Sequence, residues 1–280
     1  MKLCIETGAF MRMDYRQALE AIGRAGFKYV ELNPDVFPAG TISKEDVGEV
    51  RKLLNDYGLH PAAVLPLYPI ASPDEEIRKD ALDKWLHSID SAKAVGAEML
   101  TTEMTGDPTR PKEARDAFFR SMEVILPRLD DADFFLNFEC HPGDFVENHY
   151  AAVDFIREIN HPRFGYIYSV AHTYIMSDEK ADIEEMIAYG GSDIKHVHCA
   201  DGFKSFRFIQ RPEYRCHMHL IPGQGEIDIR HTLRCLKNVN FNGYISLNLF
   251  AHIEHPASAI MMSRDRISDY CEELGIELEF

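Results

Sequence analysis

Helix-period and strand-period stretches alternate along the 280 residues, and glycines mark where one gives way to the other. Helical segments run into a glycine and then an apolar run at AGFKYVEL (25–32), YGLHPAAV (57–64), VGAEMLTT (95–102) and FNGYISLN (241–248). Glycine supplies the left-handed cap that stops a helix, and the β-rich run after it reads as a strand. The pattern predicts strands at 2–7, 28–33, 60–67, 98–103, 133–140, 163–170, 194–200 and 243–250. Helices are predicted at 14–26, 43–58, 73–95, 111–130, 148–160, 178–190, 228–238 and 256–274. Strands alternating with helices in this way call for a parallel sheet joined by crossovers.

No linker or shift of composition divides the chain, so residues 1–280 are expected to form a single α/β domain, a (β/α)8 TIM barrel. About 250 residues is the usual size of that fold. A doubly wound open sheet is the competing architecture. It usually carries a phosphate loop after its first strand, and ETGAFMRMD holds no GxGxxG, which argues against a nucleotide cofactor. The longest break in the rhythm is residues 201–227, after the seventh strand. A long loop in a compact barrel is usually a lid or an interface.

Composition narrows the function. A chain with 45% hydrophobic and 27% charged residues can build a sizeable core. The formal net charge of −16 argues against a nucleic acid or anionic membrane partner, because phosphates must be met by clustered Lys and Arg. The start MKLCIETGAF has no signal-peptide pattern, and no apolar run reaches membrane-spanning length. A soluble, cytoplasmic protein is expected. The cysteines Cys4, Cys140, Cys199, Cys216, Cys235 and Cys271 are scattered without a CxxC pair, so reduced thiols are expected rather than disulfides.

In a barrel, chemistry sits where strands end. Along the fifth strand Leu136 and Phe138 share one face, while Asn137, Glu139 and His141 share the other. The polar set is expected to point into the barrel, where a carboxylate needs a cation or donors. The seventh strand places His196 and His198 on one face with Asp201 beyond, and neutral imidazole is a common ligand for divalent metals. Ser169 and His172 close the sixth strand, and Ser246 and Asn248 close the eighth. Glu31, Asn33 and Glu103 are expected at the mouth, as substrate contacts or as buried hydrogen-bonding residues. Lys204 and Arg207 follow the seventh strand, as substrate-binding cations or solvated loop charges. His217 and His219 read as surface or interface residues.

Taken in order, ECHPGD (139–144), SVAH (169–172), HVHCAD (196–201), GQGEID (223–228) and SLNLF (246–250) resemble the sugar phosphate isomerase/epimerase family of xylose isomerase-like barrels. The resemblance runs through essentially the whole chain. It implies a divalent metal (Mn, Mg or Zn) held by Glu, Asp, His and Glu from successive strands. The corresponding positions here are Glu139, Ser169, His198 and Asn248. Ser169 stands where Asp is expected and Asn248 where Glu is expected. Hard cations prefer anionic oxygen, so weakened metal binding is expected, or a ligand set that recruits His141, His172 or Asp201.

The resemblance also implies a reaction: a proton is taken from carbon next to a carbonyl of a small sugar or keto sugar and returned to make an isomer or epimer. Glu139 is the expected base, and His172 or His198 the expected acid. Glu31, His141, Lys204 and Arg207 are the expected substrate contacts. Asn248 cannot accept a proton as a carboxylate does, which leaves two further readings open. One is a lyase or dehydratase using the same enolate chemistry with a single base. The other is a catalytically impaired barrel that binds carbohydrate or serves in a complex. A DNA-cutting branch of the same superfamily needs a basic groove, which the net charge opposes. The resemblance is also compatible with a homo-oligomer.

Overall fold

In the computed structural model, which describes residues 1–37, 40–177, 182–205 and 219–280, every predicted strand is present. They are β1 (Lys2–Glu6), β2 (Tyr29–Leu32), β3 (His60–Val64), β4 (Met99–Glu103), β5 (Phe135–Glu139), β6 (Phe164–Ser169), β7 (Ile194–Cys199) and β8 (Tyr244–Leu247). Each pairs in parallel with its neighbour in sequence, and β8 pairs back onto β1, closing the barrel. The helices between them are α1 (Tyr15–Arg24), α2 (Lys44–Asp56), α3 (Glu75–Val95), α4 (Pro111–Ala132), α5 (His149–Ile159), α6 (Val170–Met176), α7 (Ile183–Gly190), α8 (Ile229–Asn238) and α9 (Pro256–Leu274). The fold is a single TIM barrel.

Local chemistry sets the helix boundaries. Ser43 and Asp46 form a reciprocal capping box at the start of α2, which satisfies two amides that otherwise lack partners. Asp14, Asp74, Asn148, Asp182 and Asp228 accept backbone N–H groups at the starts of α1, α3, α5, α7 and α8. At the end of α3, Gly96 takes φ of 86°, a conformation in which a side chain would be strained. That is the glycine stop read from the sequence.

The strands sort their side chains by face. Outward residues such as Leu136, Phe138 and Val197 join the core beneath the helices. Phe138 stacks on Phe164 at 5.0 Å and meets the edge of Phe118 from α4 at 5.2 Å. Inside the barrel, Cys4, Tyr29, Ala62 and Tyr244 form a separate small cluster against Met99 at the strand beginnings. This apolar plug closes one end. The inward residues at the other end are polar, because there the strands hand over to the loops that carry chemistry.

Two local differences from the sequence reading stand out. The short helix α6 follows β6 directly, where the pattern carried the strand to residue 170. The helix expected at 178–190 is seen as α7, beginning at Ile183; residues 178–181 lie outside the described set. Among the described residues no helix is long and apolar enough to cross a membrane. Cys4, Cys140, Cys199, Cys235 and Cys271 are free and buried, and Cys216 lies outside the described residues.

Candidate active site

Strand register brings the polar ends together. Glu6 pairs beside Glu31, Glu103 beside Glu139, Ser169 beside His198, and His198 beside Ser246. Above them opens a cavity of about 360 Å³ whose lining includes Glu103, Glu139, His141, His172, His198 and His219. Asn33, Asn248, Met11, Leu65 and Phe250 complete much of the wall. The lining therefore combines many hydrogen-bonding groups with some apolar surface, which suits a ligand with hydroxyl edges and C–H faces. Its volume lies in the range of small-molecule sites. A second opening, of about 450 Å³ near Met1 and Gly275, lies at the strand beginnings, the face of this fold that serves stability rather than chemistry.

His198 is the hub. Its Nδ1 lies 3.1 Å from Glu139 Oε2, and its Nε2 lies 3.2 Å from Glu31 Oε1. Both partners are carboxylates, which only accept, so both ring nitrogens must donate and the ring is an imidazolium. Burial opposes that charge, but Glu139 and Glu31 hold the His198 proton well above the usual histidine range. Burial likewise opposes ionisation of Glu139, yet His198 and His172 keep its carboxyl well below the usual carboxylate range. The net result is a buried, ionised carboxylate beside a fixed cation.

Glu31 sits one layer deeper. It is fully buried, and its second oxygen lies 3.2 Å from His196 Nε2. The Thr101 hydroxyl donates to Glu31 Oε1, the oxygen that faces His198. The sequence offered Glu31 as a substrate contact, but it braces His196 and His198 from below rather than lining the cavity. The adjacent Glu6 was not singled out in the sequence. Burial and the charge of Glu31 push its carboxyl up to about 8, so it is largely protonated at neutral pH. It accepts the Gly8 N–H at 2.8 Å.

The remaining expected residues divide. Glu139, His141, His172, His198 and Asn248 all line the cavity. His141 Nε2 lies 3.4 Å from Glu103 Oε1, and its ring meets His172 edge-on at 4.5 Å. His172 Nδ1 lies 3.6 Å from Glu139 Oε2. Asn248 follows β8, with its Oδ1 buried and without a hydrogen-bond partner. Ser169 is buried beside His198 in the sheet register. Lys204 turns away from the cavity: its ammonium donates to Ser177 O at 2.9 Å and Oγ at 2.8 Å. Arg207 and His217 lie outside the described residues, as does 206–218 of the loop expected at 201–227.

Two assignments change. Asp201, considered as a metal ligand, accepts the N–H groups of Gly202, Gly223, Gly225 and Ile227 at 2.8–3.1 Å. A Cβ on Gly225 would lie 2.3 Å from Asp201 Oδ1, so only glycine lets that backbone approach. Asp201 thus fastens the returning segment to the barrel. His219, read as a surface residue, is buried on that segment with Nε2 at 2.8 Å from His172 Nε2. Strand periodicity does not reach into a loop, so only its place four residues before GQGEID hinted at the site.

The sequence profile of the xylose isomerase-like TIM barrel family matches residues 19–274. The chain belongs to this family. Within it, an inosose isomerase of Bacillus velezensis is 22% identical over 265 residues, covering 89% of each chain. The crystal structure of a D-tagatose 3-epimerase-like protein superposes with a TM-score of 0.80 at 20% identity, covering 98% of each chain. The structure of the IOLI protein with a zinc atom superposes with a TM-score of 0.79 at 18% identity, covering 98% of this chain and 99% of that one. The barrel of this xylose isomerase-like chain holds groups able to ligate a divalent ion. The ligand atoms of Glu31, His196 and His198 lie within 4.8 Å of one another, and so, in a separate group, do those of Glu103, His141 and Asp144.

Proposed function

We propose that the protein is a sugar or keto-sugar isomerase/epimerase-like enzyme in which Glu139 removes a proton from carbon next to a carbonyl. The observation that carries this reading is the buried, ionised Glu139 held between His198 and His172 at the cavity floor. A C–H beside a carbonyl is a poor acid, so its removal needs a base within reach and a positive group where oxyanion charge develops. Glu139 supplies the first. His198, whose proton is held by two carboxylates, supplies the second. Relatives named as an inosose isomerase and a tagatose epimerase-like protein support a small polyhydroxylated carbonyl substrate.

The donor set also fits a divalent ion. Glu139 Oε2 and His198 Nδ1 stand 3.1 Å apart, a separation that two ligands at about 2.0–2.2 Å from one ion can adopt. Glu139 and His198 would hold it, and the unpartnered Asn248 Oδ1 and the Ser169 hydroxyl would complete the set as neutral donors. With Glu139 its only anionic donor, this set binds hard cations more weakly than the family pattern does. When bound, the ion supplies polarisation of the substrate carbonyl.

A proton must also be returned. His172, which reaches the same Glu139 oxygen as His198 and is backed by His219, is the donor. Asn248 occupies the place of a second carboxylate and carries no transferable proton at neutral pH. That favours a second reading, β-elimination from a keto sugar, which needs one base and one acid. Incubation of the purified chain with ketohexoses and inososes in D2O, followed by proton NMR, tests both. Deuterium entry with an isomeric product supports isomerisation or epimerisation. Loss of water with a new vinyl signal supports the lyase, and no exchange in any substrate removes the proposal.

A further inference from the structure

Outside the barrel, α7 and α8 bring together a second set of metal-ligating side chains. Glu184 lies in the first turn of α7, and His231 and Cys235 lie one turn apart on α8. Residues four apart share one helix face, so the imidazole and thiol meet: Cys235 Sγ is 3.6 Å from His231 Nε2. The ligand atoms of all three lie within 4.8 Å of one another.

From this geometry we propose that Glu184, His231 and Cys235 form a peripheral binding site for a zinc-class divalent ion, one that ties α7 to α8. Tetrahedral zinc, at about 2.3 Å from sulfur and about 2.0–2.1 Å from nitrogen, sets those two ligands about 3.6 Å apart. The observed separation already has that value. Cys235 is buried, His231 half-buried and Glu184 exposed. The thiol is therefore the inner ligand, and the exposed carboxylate closes the site from solvent. The fourth position is open to water.

The surroundings favour a cation. Asp182 and Asp228, which cap the two helices, add negative charge near Cys235. On metal binding the Cys235 thiol proton leaves to water as the metal–sulfur bond forms. Thiolate and imidazole select zinc or cobalt over magnesium or calcium. The site shares no residue with the cavity, so it stands or falls apart from the proposed reaction.

Cobalt(II) titration of the full, metal-stripped chain tests it. The expected result is a near-ultraviolet thiolate-to-cobalt band whose plateau corresponds to one thiolate-bound cobalt per chain, whatever the cavity takes up without such a band. The band should vanish in Cys235→Ser and in His231→Gln, with folding of each checked by circular dichroism, and persist in Glu139→Gln. Glu184→Gln should weaken cobalt binding at least tenfold. Absence of the band in the wild-type chain overturns the proposal. So does its survival in Cys235→Ser or His231→Gln, or its loss in Glu139→Gln.

Discussion

The Nε2 of His219 stands 2.8 Å from the Nε2 of His172, joining the segment that returns after β7 to the end of β6. One imidazole must donate and the other accept, so the pair shares a hydrogen. Because His172 also approaches Glu139, the contact gives the site a route for a proton between its floor and the loop above.

If that route returns the proton, His219→Gln lowers kcat by about a hundredfold or more, the range of positioned acid–base groups, and leaves KM within about twofold. Steady-state kinetics on the substrate found by NMR screening checks it. A change confined to KM would make His219 a binding group only.

Asp201 holds three amides of the segment that carries His219 and GQGEI, those of Gly223, Gly225 and Ile227, besides that of its neighbour Gly202. Asp201→Ala leaves those buried donors without an acceptor, and each such loss costs about 1–3 kcal/mol. Urea unfolding should show a destabilisation of roughly 3 kcal/mol or more. Asp201→Asn, which keeps one oxygen, should fall between the two. A destabilisation of Asp201→Ala below about 0.5 kcal/mol would remove the anchoring role.

Glu6 links stability to pH. Its carboxyl rises from the ordinary 4.5 to about 8 on folding, so between those values the folded chain binds a proton that the unfolded chain has lost. Stability therefore falls as pH rises through that window, by about 1.4 kcal/mol per unit for this group. Glu6→Gln keeps an acceptor for Gly8 N and has no charge to bury. Its melting temperature should exceed wild type at pH 8 and match it more closely at pH 5. The opposite order would contradict the assignment.

Occupation of Glu139 and His198 by a divalent ion must displace the proton that His198 holds between two carboxylates. Manganese or zinc binding should release a proton and tighten as pH rises, which calorimetry in buffers of different ionisation enthalpy measures directly. The double variant Ser169→Asp with Asn248→Glu should bind at least tenfold more tightly. Equal affinity in both proteins would show that the neutral residues do not weaken the site.

The barrel was legible because its physics is local. Helix-ending glycines such as Gly96 and the period-two faces of β5 and β7 are written in neighbouring residues. The same periodicity placed Glu139 and His198 on inward faces. It could not tell that Glu31 lies a layer below the cavity, because depth in a barrel depends on register between strands. Nor could it see Asp201 fastening the chain more than twenty residues on, or His219 reaching His172, since those contacts are made between loops. Glu6 escaped notice for a related reason: its significance comes from Glu31 beside it, a neighbour supplied by folding alone.

The most direct test of the proposed chemistry is solvent deuterium entering the carbon next to the substrate carbonyl, measured by NMR for wild type and Glu139→Gln. Steady exchange is expected in wild type and a loss of about a thousandfold in Glu139→Gln, with the fold intact by circular dichroism. Exchange at the wild-type rate in Glu139→Gln would contradict the proposed chemistry.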